Sequence, residues 1–523
     1  YYGNQKIWRT SDGGETWQAI SPDLSRENPG VPGNLDKVTA ANHLGIGPRR
    51  GVVYAIASSP LRDNRIWAGT DDGLIWRTDD GGMNWIDVTP KALSAWSKVG
   101  ILEPSHFDAD VAYAAIDRHR LDDRKPYIYR TRDAGRSWQL IVSGIRDGDF
   151  VNAVREDPKR KGLLYAATEL GMYVSFDDGA RWQGLQQNLP RTSVRDIDVH
   201  GDDLVIGTHG RGIWIMDNIS ALRQLDPAKP ATTRLFAPAT AIRHRTAEFT
   251  GTPFPKDEPM AANPVSGAHI DYLLAEASKG AVKLSIKDAN GQLVRQWSSE
   301  QVPAKIDLAK IGNAPEWIEQ PTPLATTPGM HRFAWSLHYP SATDAADPYA
   351  DGVWAPPGEY TVELTVDGQS YTQMLPVAPD PRVDLPATAY ADAFALARKV
   401  EALQVRINEA KHAADALRST LDEKRKSATS ASEKRKLDAL EARLNAVTGN
   451  TPAHNPINAW AFPPKSTRTL TYLDRALGQL QQSVDGADAA PSAGAQFGYT
   501  KLAELVEQTL ADWRELAQDS QAP

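Results

Sequence analysis

Thr10-Ser11-Asp12-Gly13-Gly14-Glu15-Thr16-Trp17 returns three times with altered filling: Thr78-Asp79-Asp80-Gly81-Gly82-Met83-Asn84-Trp85, Thr131-Arg132-Asp133-Ala134-Gly135-Arg136-Ser137-Trp138 and Ser175-Phe176-Asp177-Asp178-Gly179-Ala180-Arg181-Trp182. A hydroxyl residue, an Asp, a Gly and a Trp keep fixed offsets while the other positions vary. Each type has a local task. The Asp carboxylate accepts hydrogen bonds from backbone N–H groups of the turn, and Gly supplies a positive-φ position. The Trp brings a large apolar surface to bury against a neighbouring sheet.

Working outward, a short strand precedes every copy: Ile7-Trp8-Arg9, Ile75-Trp76-Arg77, Ile128-Tyr129-Arg130 and Met172-Tyr173-Val174. Another lies upstream of three of them, in Ile66–Thr70, Val111–Ala115 and Leu164–Thr168. Val53–Ile56, Ala153-Val154 and Val194–Val199 each open a unit. A last unit, Leu204–Thr208 then Ile213–Met216, keeps the two strands and lacks the turn. The Asp residues of successive turns lie 68, 53 and 44 positions apart. Four-stranded units at roughly that period are the pattern of propeller blades, with insertions falling in loops. Residue 1 is neither Met nor part of a signal peptide, and the chain opens a few residues before the third strand of a unit. A half-unit leaves a bare edge, so upstream sequence with further units is expected.

Composition narrows the setting. The chain has 523 residues, more than one domain by the usual prior, and 58 basic against 66 acidic residues give a net charge of −8. That balance makes no electrostatic case for nucleic acid. The absence of Cys excludes disulfides, thiolate metal sites and cysteine nucleophiles. No apolar run is long enough to span a bilayer as a helix. No His/carboxylate spacing of a known metal motif stands out, so neither metal nor cofactor is expected.

After Asp217-Asn218 the repeat stops, and a Pro-rich stretch, residues 225–230, leads into a second region, 231–380. Strand-like runs occur at residues 267–272, 282–286, 331–335, 360–366 and 370–373, with tight-turn pairs at Asn290-Gly291 and Asp367-Gly368 and a Pro356-Pro357-Gly358 turn. About seven short strands predict a β-sandwich of immunoglobulin or fibronectin type III kind. From Pro386 to about residue 518 the composition turns to Ala, Leu, Lys, Arg and Glu. Leu396, Val400, Leu403, Ile407, Ala410, Ala414, Leu417 and Leu421 mark one helix face, and Leu437, Leu440, Leu444 and Val447 a returning one. The exposed turn between them is placed within Lys424–Lys436, a cap at Gly449-Asn450, and a Pro-rich loop at 452–464. Leu470, Leu473, Leu477 and Leu480 mark a third helix, and Leu502, Leu505, Thr509, Trp513 and Leu516 a fourth. The fold class is thus mainly β and multidomain: a partial propeller of about four blades plus a half-blade (1–224), a β-sandwich (231–380) and an antiparallel helical bundle (386–518). The bundle is also the place for a protein partner or an oligomer contact.

The repeated turn is the Asp-box, or bacterial neuraminidase repeat. With Glu103–Asp108, Asp117–Asp123, Val174–Gly179, Thr208–Trp214 and Pro357–Gly368, the chain resembles a family of large bacterial proteins carrying sortilin-like Asp-box propellers, commonly labelled glycosyl hydrolases. The resemblance implies an exported protein with more blades. It also implies either a propeller that binds peptides, as sortilin-like ones do, or a xyloglucanase-like hydrolase.

Within the boxes, Asp12, Trp17, Asp80, Trp85, Asp133, Trp138, Asp177 and Trp182 read as structural. The box joins the third and fourth strands of a blade and faces away from the usual ligand side. The second-to-third connections hold Asp71-Asp72-Gly73, the long 117–125 loop with His119, Arg120, Asp122 and Asp123, then Glu169, and His209-Gly210-Arg211. Blade-to-blade connections add Trp96 and the 21–51 loop with Asp36, Lys37, His43, Arg49 and Arg50. His119, Arg120, His209, Arg211 and Trp96 suit a polar peptide or carbohydrate ligand, since Arg binds carboxylates bidentately and Trp stacks on rings. A glycoside hydrolase needs two carboxylates across a cleft, for which Asp71, Asp72, Asp122, Asp123 and Glu169 are the candidates. A sialidase arginine triad cannot be assembled from these loops.

Overall fold

The computed structural model describes residues 1–35, 50–245, 264–303, 321–449 and 466–520. It divides into two compact units, Tyr1–Pro230 and Ala231–Pro523.

In the first unit the chain lays down one antiparallel meander after another. β1 (Tyr2–Gly3), β2 (Ile7–Arg9) and β3 (Gln18–Ala19) form a three-stranded sheet. Three four-stranded sheets follow. The first is β4 (Val53–Ser58), β5 (Ile66–Thr70), β6 (Ile75–Thr78) and β7 (Ile86–Asp87). The next is β8 (Lys98–Pro104), β9 (Ala112–Asp117), β10 (Ile128–Thr131) and β11 (Gln139–Leu140), then β12 (Val151–Glu156), β13 (Leu164–Thr168), β14 (Gly171–Ser175) and β15 (Gln183–Gly184). A three-stranded sheet of β16 (Val194–His200), β17 (Asp203–Thr208) and β18 (Ile213–Met216) closes the series. The first strands of successive sheets lie side by side, β4 against β8, β8 against β12 and β12 against β16. Their apolar residues are buried between sheets; Val99, Val151, Ala153, Val154 and Val194 have no exposed surface. β8 is a strand that apolar periodicity does not mark, and the two-residue fourth strands are too short to leave a signature.

The repeated turn shows why its residue types are fixed. In the copy before β7, Asp80 Oδ1 accepts the Asn84 N–H at 2.9 Å and the Thr78 hydroxyl at 2.8 Å, while Gly82 N–H donates to Thr78 Oγ1 at 3.0 Å. Asp12, Asp133 and Asp177 repeat that wiring with Thr16 and Thr10, Ser137 and Thr131, Arg181 and Ser175. These bonds hold the Asp80 carboxyl down at about 2, led by the Asn84 backbone N–H, and hold Asp12 and Asp133 below their ordinary range. The Trp then ties one sheet to the preceding one. Trp85 Nε1 donates to Ile20 O at 2.9 Å, Trp138 Nε1 to Val88 O at 2.7 Å and Trp182 Nε1 to Ile141 O at 2.7 Å. Each acceptor stands three residues beyond the previous Trp. Trp17 turns instead to Gly14 O of its own turn at 3.1 Å and stays 45 % exposed, against 2 % for Trp182. At the Gly before each tied Trp, a Cβ would meet the preceding sheet: Ile20 O at 2.4 Å from Gly82, Val88 Cβ at 2.7 Å from Gly135.

In the second unit β19 (Arg234–Leu235), β21 (Ala268–Leu274) and β24 (Gly329–Trp335) make one sheet. β20 (Ala241–Arg243), β28 (Gln369–Pro379), β27 (Gly358–Val366), β22 (Lys283–Lys287) and β23 (Leu293–Ser298) make another, with β25 (His338–Pro340) and β26 (Asp351–Trp354) as a separate hairpin. Ile270, Tyr272 and Trp335 of the first sheet share one core with Leu284, Val362 and Leu375 of the second. The Asp367-Gly368 hairpin has φ of 49° and 82° at its two central residues, as a two-residue β-turn of this type needs.

Four helices follow: α1 (Ala387–Ser427), α2 (Ala431–Thr448), α3 (Leu470–Asp485) and α4 (Ala493–Asp519). The charged segment 424–436 does hold the turn, and the rest of it is helical. The link is residues 428–430, because Ser430 caps α2 by accepting the Glu433 N–H at 3.1 Å. Gly449 ends α2 at φ 76°, whereas Asn450 and the whole 452–464 loop lie outside the described residues. The apolar faces read from spacing are those that pack, and Val506 and Leu510 join them. Arg243 and Arg245 flank the Trp354 ring at 5.1 and 4.6 Å and pair with Asp488, fastening strands to helices within this unit. Among the described residues no helix is long and apolar enough to cross a membrane.

Candidate functional site

The sheets of the first unit have two unlike ends. Three of the four repeated turns sit beside the first-to-second-strand connection of their own sheet: Gly81 N–H bonds Asn64 O, Ala134 N–H bonds Asp110 O and Asp178 N–H bonds Gly162 O, at 2.8–2.9 Å. The second-to-third-strand connections and the crossings between sheets emerge at the other end, where they interlock.

There the Asp71-Asp72-Gly73 corner meets three other segments. Asp71 and Val52 exchange backbone and side-chain bonds, Val52 N–H donating to Asp71 Oδ1 at 2.7 Å and Asp71 N–H to Val52 O at 3.0 Å. Asp72 is fully buried; its carboxylate takes the Arg26 N–H at 2.8 Å and the Thr70 hydroxyl at 2.5 Å. The Arg26 guanidinium closes on Asp72 O and Gly73 O at 2.9 and 3.1 Å. Trp96 sits at φ 65°, a strained position for a bulky residue, and is held by its N–H on Asp72 O at 3.0 Å and its Nε1 on Gly30 O at 3.1 Å.

The 117–125 loop is built around a short 3₁₀ turn, His119–Leu121. Asp117, buried at the end of β9, binds His119 twice, through its N–H at 2.9 Å and Nδ1 at 2.6 Å. The imidazole stacks on Phe150, ring centroids 4.8 Å apart and planes 17° from parallel. The ring is therefore fixed through Nδ1 and one face. Asp122, at φ 59°, and Arg120 O both bond Asn34 at 3.1 and 2.8 Å. Asp123 is taken by the Tyr127 hydroxyl at 2.8 Å and by Arg118 at 3.0 Å. Glu169 N–H donates to Phe150 O at 3.0 Å, and its carboxylate accepts the Ser193 hydroxyl at 2.6 Å with Arg195 3.6 Å away. His209 N–H bonds Ser193 O at 2.8 Å, and the side chains of His209 and Arg211 are exposed.

The structure thus brings Asp71, Asp72 and Trp96 into one group, and His119, Glu169 and His209 into a chain of contacts running through Phe150 and Ser193. The Arg120 charge acts on Asp71, which joins the first group to the long loop. Burial, reinforced by Asp72, pushes the Asp71 carboxyl above its ordinary range. Arg50 pairs with Asp23 at 2.5 Å; Asp36, Lys37, His43 and Arg49 lie outside the described residues.

Sequence reasoning placed three of the four inner strands but missed β8 and the bulge that all four carry. The pairing of each first strand with its second shifts register at the same place: β4 between Val53 and Ala55, β8 between Val99 and Ile101, β12 between Val151 and Ala153, β16 between Val194 and Asp196. Such bulges re-aim side chains, here Tyr54, Asn152 and Arg195, with Gly100 at the β8 position. Asn152 Nδ2 bonds Val194 O of the next sheet at 2.9 Å. Tyr54 is 55 % exposed with the Lys98 ammonium 3.9 Å from its ring centroid, and Lys98 lies directly across the ladder from Asp117. In three of the four a Val stands two residues before an apolar residue, whereas in β16 the second position is Asp196.

Against known proteins the chain shows partial likeness. No family model matches it. It is 26 % identical over 202 residues to a xyloglucanase of Paenibacillus sp, covering 36 % of this chain and 19 % of that protein. It is 25 % identical over 142 residues to xyloglucanase Xgh74A of Acetivibrio thermocellus, covering 26 % and 15 %. The chain therefore spans less than a fifth of the curated relatives it matches. Among solved structures, an ancestral GH74 enzyme overlaps 70 % of this chain and 46 % of its own at 13 % identity and a TM-score of 0.30. YCF48 bound to D1 peptide overlaps 32 % and 51 % at 18 % identity and a TM-score of 0.26. Overlaps this loose assign no residue a role.

Proposed function

We propose that this chain is part of an exported Asp-box propeller protein that binds a glycan or peptide ligand at the end of the sheets opposite the repeated turns. One observation supports the reading most: the His119 ring is fixed by Asp117 and Phe150 in a loop cluster whose exposed groups are polar, charged and aromatic. The repeated turns at the other end spend their polar groups on themselves and on the preceding sheet. Long inserted loops on a rigid scaffold are where binding groups are placed. In this reading the strands of 231–380 are an immunoglobulin- or fibronectin-like sandwich, and together with the helical bundle of 386–518 they serve as spacer or docking modules.

A xyloglucanase-like glycoside hydrolase is the second reading, favoured by the two xyloglucanase likenesses and by the raised Asp71 carboxyl, which suits a general acid. Asp72 and Asp123 are bonded through both oxygens, whereas Glu169 and Asp122 are each bonded through one, so Glu169 or Asp122 is the partner acid it would use. The test is to incubate the protein with β-glucans and xyloglucan oligosaccharides, assaying both reducing-sugar release and saturable binding. Binding without turnover supports the first reading. Turnover abolished by Asp71→Asn replaces it with the second.

A further inference from the structure

A single connected surface runs along the loop end from the bulged strands to the long loop. It starts at Tyr54, exposed over more than half its area, with Lys98 above its ring at 3.9 Å. Lys98 faces Asp117 across the β8–β9 ladder. Asp117 holds His119, and Arg120 follows with an exposed guanidinium that acts on Asp71. The acids of this end are largely committed: Asp72 to Arg26 and Thr70, Asp123 to Arg118 and Tyr127, Asp149 to Leu170 and Tyr173, Glu169 to Ser193. Four of the cations are not. The side chains of Arg120, Arg124, Lys125 and Arg191 are exposed and make no ion pair among the described residues.

Resting on the ligand-binding reading above, we infer that this surface takes an acidic oligosaccharide, a sugar chain bearing uronic carboxylates. Tyr54 supplies the platform for a sugar ring, Lys98 and Arg120 supply the carboxylate contacts, and the His119 ring supplies a polar edge for a sugar hydroxyl. An exposed aromatic beside cations suits a ring that carries its own carboxylate. Arg120 offers two parallel N–H donors to such a group, and His119 presents a ring whose Nδ1 side is already anchored on Asp117. A neutral glucan would use Tyr54 and leave these cations unanswered.

The experiment is titration calorimetry of the 523-residue chain with hexagalacturonate, with a neutral xyloglucan heptasaccharide and with a hexaglutamate peptide, at low and high salt. Hexagalacturonate should bind saturably and weaken with salt. Arg120→Ala and Tyr54→Ala should each reduce its affinity by about tenfold or more, the scale of one charge-assisted or stacking contact. Tyr54→Phe should restore the stacking loss, and Lys161→Ala at the opposite end should change nothing. Melting curves matching the parent exclude misfolding as the cause. Equal or tighter binding of the neutral heptasaccharide, lost in Tyr54→Ala, would overturn the acidic assignment and leave the ligand-binding reading standing. Preference for hexaglutamate would overturn the sugar assignment. No binding of any of the three would overturn this inference; the broader reading would then rest on the glucan assays.

Discussion

The two ends of the sheets in residues 1–230 are made from the same strands and are put to opposite uses. At one end four turns share one set of bonds: hydroxyl to Asp, Asp to a backbone N–H four residues on, Gly N–H back to the hydroxyl. At the other end no two loops are alike, and they hold one another through crossings such as Arg26 to Asp72 and Asn34 to Arg120. Repetition accompanies groups that satisfy each other locally. Irregularity accompanies groups presented to solvent. The four carboxylates of the repeated turns look like four acidic sites in the sequence, yet each is consumed by its own turn.

The strongest way to break the comparison is to remove a tie between sheets. Trp182→Ala should cost about 3–5 kcal/mol, as for other buried aromatic truncations, whereas Trp17→Ala, exposed and bonded within its own turn, should stay within about 0.5 kcal/mol. Denaturant unfolding of the two variants checks the contrast; equal losses would mean the turns act alone. Next comes the glycine pair. Gly82 and Gly14 have nearly the same φ, 106° and 105°, but a Cβ at Gly82 would stand 2.4 Å from Ile20 O while at Gly14 its nearest neighbour is Trp17 at 4.0 Å. Gly14→Ala reports backbone strain alone, on the order of 1 kcal/mol, and Gly82→Ala should exceed it by about 1–3 kcal/mol for overpacking.

The ends should also differ with pH. The Asp80 carboxyl is depressed to about 2, so its contribution is present above the unfolded value near 4 and is lost as pH falls from there through about 2. Asp71 is shifted the other way. Its ionised form is disfavoured in the folded chain, so stability declines as pH rises from the unfolded value through the raised one. Asp71→Asn should therefore leave stability at pH 7 unchanged or slightly higher, while Asp80→Asn lowers it and flattens the acid limb. Melting temperatures between pH 2 and 7 separate the two; parallel profiles would erase the distinction.

How legible this was from sequence follows the same division. The turns and the strands flanking them could be placed almost to the residue, because Thr10, Asp12, Gly14 and Trp17 act on each other at fixed separations. β8 could not, since Lys98–Pro104 is buried against neighbouring sheets and carries no alternation to read. Of the loop residues, His119 and Arg120 stood out by type, but what fixes His119 is Phe150, thirty-one positions on. Tyr54 looked like one more strand residue; a bulge in register turns it outward, and register is a property of pairing partners. In the helices, spacing found the packed faces and composition placed the turn within 424–436 but not its three-residue length, because the residues on either side propagate helix as well as they solvate a loop.

The most direct test of the division between ends is to measure melting temperature and ligand affinity together for two variants, His119→Ala/Arg120→Ala and Asp80→Ala, using whichever oligosaccharide or peptide the parent chain binds best. The account predicts a crossing: the loop-end variant loses binding and melts with the parent, and the turn variant melts earlier while its folded fraction binds normally. Binding lost in Asp80→Ala at a temperature where the chain is folded, with binding intact in the loop-end variant, would contradict it.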